Sequence, residues 1–204
     1  MADEELIKCL RERIQELEIF KVREEITSNK EISIHLMNRN IQDIHYYMLK
    51  GGFQGNSAVL EILHYLFSVE GVLTYCVDVI IYYFIKYEHH DIFLERSNKH
   101  VTEFNELSKV TLNEKILFLE QHGFNNMSSL FDRDFRNAIA HLSFFSRLNQ
   151  TKPNSVIQYY KTKGKKMKIT QITLEDIQKW NLNIARFHAH FNTQFFRGGV
   201  YPQQ

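Results

Sequence analysis

Proline is almost absent from this chain. The only two are Pro153 and Pro202, so the first 150 residues hold no residue that fixes φ and removes a backbone donor. Nothing there but clustered glycine opposes helix formation. Apolar residues recur at helical spacing through that stretch. Ile7, Leu10, Ile14 and Leu17 form one stripe and predict a helix over 3–27. Ile34, Ile41, Ile44 and Met48 predict a second over 31–49. GGFQGN, 51–56, reads as a loop, with Ser57 as N-cap. Residues 58–87 are apolar nearly all round, as expected of the central helix of a bundle. The charged stretch 88–110 is expected to be helical and more exposed. Thr111-Leu112-Asn113-Glu114 has the capping-box pattern, opening a helix that Gly123 ends. Ser128 or Ser129 is expected to cap a helix over 129–148.

Beyond residue 150 the character changes. SVIQYY and KKMKIT flank KTKG, two short β-forming runs around a glycine-containing turn, which predicts a β-hairpin at about 155–170. Thr173 then caps a last helix over 174–196. The expected fold is an all-α bundle with one small hairpin before its last helix. Residues 1–56 are expected to form an N-terminal helical extension or helical hairpin, and 57–197 the bundle.

At 204 residues, 44% hydrophobic and 24% charged, the chain has the makings of one folded domain with a core. Its 25 basic and 24 acidic residues nearly cancel, so any nucleic-acid footprint has to be local. Cys9 and Cys76 lie far apart without a CxxC, which points to a reducing, cytoplasmic setting. The charged start MADEELIKCLRER is not a signal peptide. Glu61, Glu70, Asp78 and Lys86 interrupt the apolar stretch, so a buried helix and no membrane partner are expected.

The segment FDRDFRNAIAHLSFF, 131–145, concentrates the chemistry. At about 100° per residue, Phe135, Ala138, Ile139 and Leu142 share a core-facing side. Arg133, Asn137, Ala140, His141 and Phe144 lie on the far side, with Arg136 at one edge. Asn137 and His141 are four apart and can touch; Asp132 and Arg136 are four apart and could pair. Arg clamps phosphate bidentately. His moves protons near neutral pH. If the same helix of a second subunit met this face, two Arg and two His would gather in one groove. Spacing alone does not select this pair, since Arg39 and His45 make another.

Arg136-Asn137-Ala138-Ile139-Ala140-His141 resembles the signature of HEPN (higher eukaryotes and prokaryotes nucleotide-binding) domains: Arg, a polar residue, three to five more residues, then His on a late helix of a four- or five-helix bundle. LFSVEGVL, 66–73, resembles a segment in which many members carry an acidic residue, here Glu70. The hairpin followed by a helix resembles the C-terminal end of several prokaryotic members. Some members carry Tyr two positions after the His, where this chain has Ser143. The resemblance spans about 57–196 in architecture and 136–141 in motif. It implies a homodimeric, metal-independent endoribonuclease that cleaves through the RNA 2′-OH, of a kind often found among toxins and antiviral effectors, with a neutralising partner protein in some cases. It implies His141 as general acid or base, Arg136 on the scissile phosphate and Asn137 orienting one of them, with Glu70, Asp132 and Arg133 in support. The alternative is a non-catalytic nucleotide- or RNA-binding or interaction module of the same shape.

Lys161, Lys163, Lys165, Lys166 and Lys168 form the strongest basic cluster, fit either to hold an RNA backbone or to guard a strand edge. His89-His90 and His188-x-His190 point their rings apart on helices and read as surface residues. Tyr82, Tyr83, Phe84 and Tyr87 read as core and interface. No phosphate-binding glycine loop, G-x-S-x-G or metal-ligand pattern is present, so neither cofactor nor metal is expected.

Overall fold

The computed structural model describes residues 2–23, 25–26, 57–90, 92–94, 99–141, 144–146, 156–163 and 166–197. The chain is mostly helical, with an antiparallel hairpin before its last helix. In order it forms α1 (Ala2–Glu16), a 3-10 turn (Ile19–Val22), α2 (Ser57–Phe67), a π-helical turn (Ser68–Leu73) and α3 (Thr74–Tyr87). Then come β1 (Ile92–Leu94), β2 (Lys99–Val101), a 3-10 turn (Phe104–Lys109), α4 (Leu112–Gln121) and another 3-10 turn (Met127–Leu130). The remainder is α5 (Arg133–Ala140), β3 (Phe144–Ser146), β4 (Val156–Lys163), β5 (Lys166–Thr173) and α6 (Leu174–Phe195).

The chain divides into two units, each assembled from separate segments. The first comprises Met1–Ile32, Leu73–Ser129 and Ala185–Gln204. The stripe Ile7, Leu10, Ile14 and Leu17 is buried there, as its spacing requires. The helix stops well short of residue 27, however. Leu17, Ile19 and Val22 are all buried. Residues two apart cannot share one helical face, so the chain turns after Glu16 to bury both Leu17 and Ile19. The aromatic run on α3 buries Tyr82, Tyr83 and Phe84 and leaves Tyr87 exposed. Thr111 caps α4 as expected: its hydroxyl accepts from Glu114 N–H (3.3 Å), and the Glu114 carboxylate accepts from Thr111 N–H (2.8 Å). Gly123 closes the helix at φ +91°, a conformation that strains any side chain. A Cβ there would also stand 3.1 Å from Arg13 Nε, which donates to the His122 carbonyl at 3.0 Å.

The stretch 88–110 does not form one continuous helix: among its described residues only the 3-10 turn Phe104–Lys109 is helical. His89, at φ 55°, ends the helical path, and β1 and β2 pair antiparallel with Phe93 opposite His100. Ile92-Phe93-Leu94 and His100-Val101 are β-forming runs whose pairing outweighs the charge around them.

The second unit comprises Ser33–Val72 and Leu130–Ile184. Its core centres on rings: Tyr65 lies 5.3 Å from Phe135 and 5.5 Å from Trp180, and Phe135 lies 5.3 Å from Tyr159. The expected hairpin is present, and β3 joins it as a third strand in the order β3-β4-β5. Thr173 caps α6 reciprocally with Asp176, at 3.1 Å through its hydroxyl and 2.8 Å through its backbone N–H.

Four expectations fall at the edge of the described residues or outside them. The helix over 31–49, the loop 51–56 and the pair Arg39 and His45 lie outside the described residues. The expected boundary between 56 and 57 lies at the edge of them. Ser57 is the first residue of α2 rather than a cap before it. Val59–Tyr87 is 29 residues long and apolar enough to cross a membrane by length and composition. Its four charges are eight or nine residues apart, so an 18-residue window can be placed to meet only two of them. In this fold 78% of that window is buried inside the protein.

Candidate functional site

The segment 131–145 forms a shorter helix than its periodicity predicts. α5 runs from Arg133 to Ala140, and β3 follows at Phe144. The cap is Asp132, whose carboxylate accepts from Phe135 N–H at 2.8 Å. Ser128 instead turns back to Glu120, donating through N–H and hydroxyl at 2.9 and 2.8 Å. Phe135, Ala138 and Ile139 are buried as the stripe requires, while Leu142 lies outside the described residues.

Two buried tyrosines fix the start of α5. Tyr65 OH donates to the Asp132 carbonyl and accepts from Asp132 N–H, both at 2.9 Å. Tyr159 OH donates to the other carboxylate oxygen of Asp132 at 3.1 Å. Asp132 is thereby committed to Phe135 and Tyr159, and the pairing expected with Arg136 does not form. No sequence spacing announces this clamp, because its members stand 67 and 27 residues from Asp132.

Burial pushes both phenols above the ordinary tyrosine value, and the Asp132 carboxylate pushes further the same way. A group whose folded pKa is raised gives its full stabilisation below its unfolded pKa, here about 10, and loses it as pH climbs above that value. The urea midpoint should therefore fall between about pH 8 and pH 11. Tyr65→Phe/Tyr159→Phe should lose distinctly less over the same range, having no phenols there to ionise. An equal loss in both proteins would show that the two phenols do not set this pH dependence.

Arg136 turns away from Asp132 and toward the π-helical turn. Its Nε donates to the Glu70 carboxylate, and its Nη1 donates to Asn137 Oδ1 at 2.7 Å. π turns inside helices are frequent at functional sites, and this one carries Glu70. The Arg136 side chain is 30% exposed and Glu70 40%, so the guanidinium is anchored but reachable from solvent. Asn137 spends its oxygen on Arg136, which leaves its N–H donors for another acceptor. His141 is exposed and ends the helix, with its backbone N–H on the Asn137 carbonyl at 3.0 Å. Arg133 is exposed beside Asp134, N to O 3.9 Å. Glu70, Arg136 and Asn137 thus form one hydrogen-bonded row, Asp132 serves the helix start, and His141 stands at the helix end.

The lysines Lys161, Lys163, Lys166 and Lys168 lie on β4 and β5, with Lys168 exposed. Lys165 lies outside the described residues. Of the histidine pairs His89 is exposed as expected, while His90 and His188 are more engaged than surface residues. His90 sits edge-on to His122 with ring centroids 4.4 Å apart, and His188 Nε2 lies 3.1 Å from the Asn192 amide nitrogen. Burial, with Arg11 nearby, holds His190 below its ordinary value. Among the described residues no three His, Cys, Asp or Glu side chains converge. Comparison with family models, with curated proteins and with solved structures finds no match.

Proposed function

We propose that this chain is a metal-independent endoribonuclease of the HEPN type, working as a homodimer in the cytoplasm. The observation that carries the reading is Arg136: partly exposed, held on two sides by Glu70 and Asn137, on the helix that His141 terminates. A guanidinium fixed at Nε and one Nη keeps further N–H donors for a phosphate. In the reaction, the ribose 2′-oxygen attacks phosphorus and the bond to the 5′-oxygen breaks. The 2′-OH proton passes to a base and the leaving 5′-oxygen takes one from an acid, leaving a 2′,3′-cyclic phosphate. His141 serves one of these transfers, and its copy in a second subunit can serve the other. Arg136 offsets the charge that builds on the phosphorane. The test is cleavage of RNA by the purified protein with EDTA present, abolished by either substitution. RNA binding without cleavage would favour the non-catalytic module instead.

A second subunit is part of this reading. Val59, Leu63 and Phe67 are exposed at i, i+4 and i+8 on α2, an apolar ridge that ends three residues before Glu70. A contiguous exposed apolar ridge offers a face for association. Light scattering should give a dimer at micromolar concentration, and Leu63→Glu should shift it to monomer and lower cleavage with it. A stable wild-type monomer would count heavily against the two-subunit site.

A further inference from the structure

The register of β4 and β5 sorts the lysines. Ile157 pairs with Ile172, Tyr159 with Thr170, Lys161 with Lys168 and Lys163 with Lys166. Residues directly opposite share a face, and so do residues two apart on one strand. All eight positions therefore belong to one face of the sheet. Burial falls off along it: Ile157 and Ile172 are buried, Tyr159 is 1% exposed, Thr170 is half-buried and Lys168 is exposed. The hairpin thus runs out beyond the core, and four of its outermost register positions on the core-side face are lysine.

This is the face against which α5 packs, through Phe135 on the Tyr159 ring and the Tyr159 hydroxyl on Asp132. At about 3.4 Å per residue, Lys161 lies about 7 Å along the strand from Tyr159 and Lys163 about 14 Å. The lysine positions therefore continue directly from the ring that seats the Arg136 helix. They also oppose like charges at two successive register pairs, which costs stability in an isolated sheet. Guarding an edge asks for charge along a strand but not for that opposition. A polyanion lying on the face would relieve it.

We infer that this lysine face is a backbone-binding track for a single nucleic-acid strand, leading its phosphates to the Arg136 helix. Lysines two apart repeat at about 7 Å, a spacing close to that of phosphates on an extended strand. Contacts of this kind to phosphate position a strand and carry no sequence information. The inference rests on the proposed ribonuclease for what happens at the end of the track, but its test is binding alone.

The experiment uses the full chain carrying His141→Ala, with EDTA, a short labelled oligouridine and fluorescence anisotropy from about 50 to 200 mM salt. Each phosphate contact on a single strand contributes about 0.7 to the slope of log K against log salt. Replacing Lys161, Lys163, Lys166 and Lys168 with Gln should flatten that slope by about three units. Each register pair replaced alone should flatten it by about one and a half, which supplies the reading where the fourfold variant does not fold. A fifth protein moves charge across the sheet: Lys161→Gln, Lys163→Gln, Tyr160→Lys and Thr162→Lys keep the net charge but place it on the opposite face. It should remain as flat as the loss of two lysines. Oligothymidine should show the same slopes as oligouridine, since the contacts are to phosphate. An unchanged slope in the lysine variants, full recovery in the moved-charge protein, or a slope present for RNA and absent for DNA would each overturn the track. Wild type that cleaves while the slope ignores the lysines sinks this inference alone. A lysine-dependent slope in a protein that never cleaves sinks the ribonuclease alone.

Discussion

Replacing His141 with Ala, or Arg136 with Ala, is expected to all but abolish RNA cleavage while leaving the fold intact. Proton transfer by a positioned His contributes about 10²–10⁴-fold in rate, and a positioned charge-stabilising donor about 10²–10³-fold. The fold should survive because neither side chain belongs to the buried stripe of Phe135, Ala138 and Ile139. His141 is exposed at the helix end, and removing Arg136 frees a Glu70 carboxylate that is already 40% exposed and can take water. Glu70→Gln should act more mildly, because it loosens the anchor of Arg136 without removing the guanidinium. The assay is a gel of total RNA with wild type and each variant in EDTA, with the new 3′ ends tested for cyclic phosphate. Resistance of DNA follows from its missing 2′-OH. Equal cleavage by wild type and both alanine variants would assign the activity to another site or to a contaminant. No cleavage by any would move the weight to a binding module.

The parts of this molecule legible in the sequence are those written locally. Thr111 with Glu114, and Thr173, are recognisable as caps because each bond spans three residues. The stripe Ile7, Leu10, Ile14 and Leu17 needs only a period. What escaped was decided at a distance. Phe144-Phe145-Ser146 continues a helical pattern, yet Phe144 pairs with Tyr159 and Ser146 with Ile157, so a strand takes the place of two helical turns. The hydroxyls of Tyr65 and Tyr159 on Asp132 have no sequence signature, for the same reason. The lysine cluster was visible as composition, but its face was not. A slip of one residue in the register would send every lysine to the other side, and a KTKG turn does not fix the register to that precision. Glu70 came to notice through resemblance, and the π turn that carries it did not.

The largest stability effect is expected in the first unit. Asp78 lies on α3 between Val77 and Val79, both fully buried, and its carboxylate meets the Lys115 ammonium of α4 at 2.6 Å. The two side chains are 11% and 3% exposed, so water screens the pair weakly and solvates neither charge well. Each ion is tolerated in that interior because the other is there. Lys115→Met removes one and leaves the poorly solvated carboxylate without its ammonium. The cost should be about 3–5 kcal/mol, a large share of the roughly 5–15 kcal/mol that holds a domain together. Adding Asp78→Leu to Lys115→Met should recover most of that loss, because an apolar pair of similar volume dispenses with both desolvation penalties. The recovery separates the two explanations available for a damaging single substitution. If the loss came from poor packing of Met at position 115, the second change would deepen it; if it came from a stranded charge, the second change removes the charge. Urea melts of the two singles and the double settle the sign. A Lys115→Met protein within about 1 kcal/mol of wild type would show that water reaches Asp78 after all, and the pair would then count as an exposed one.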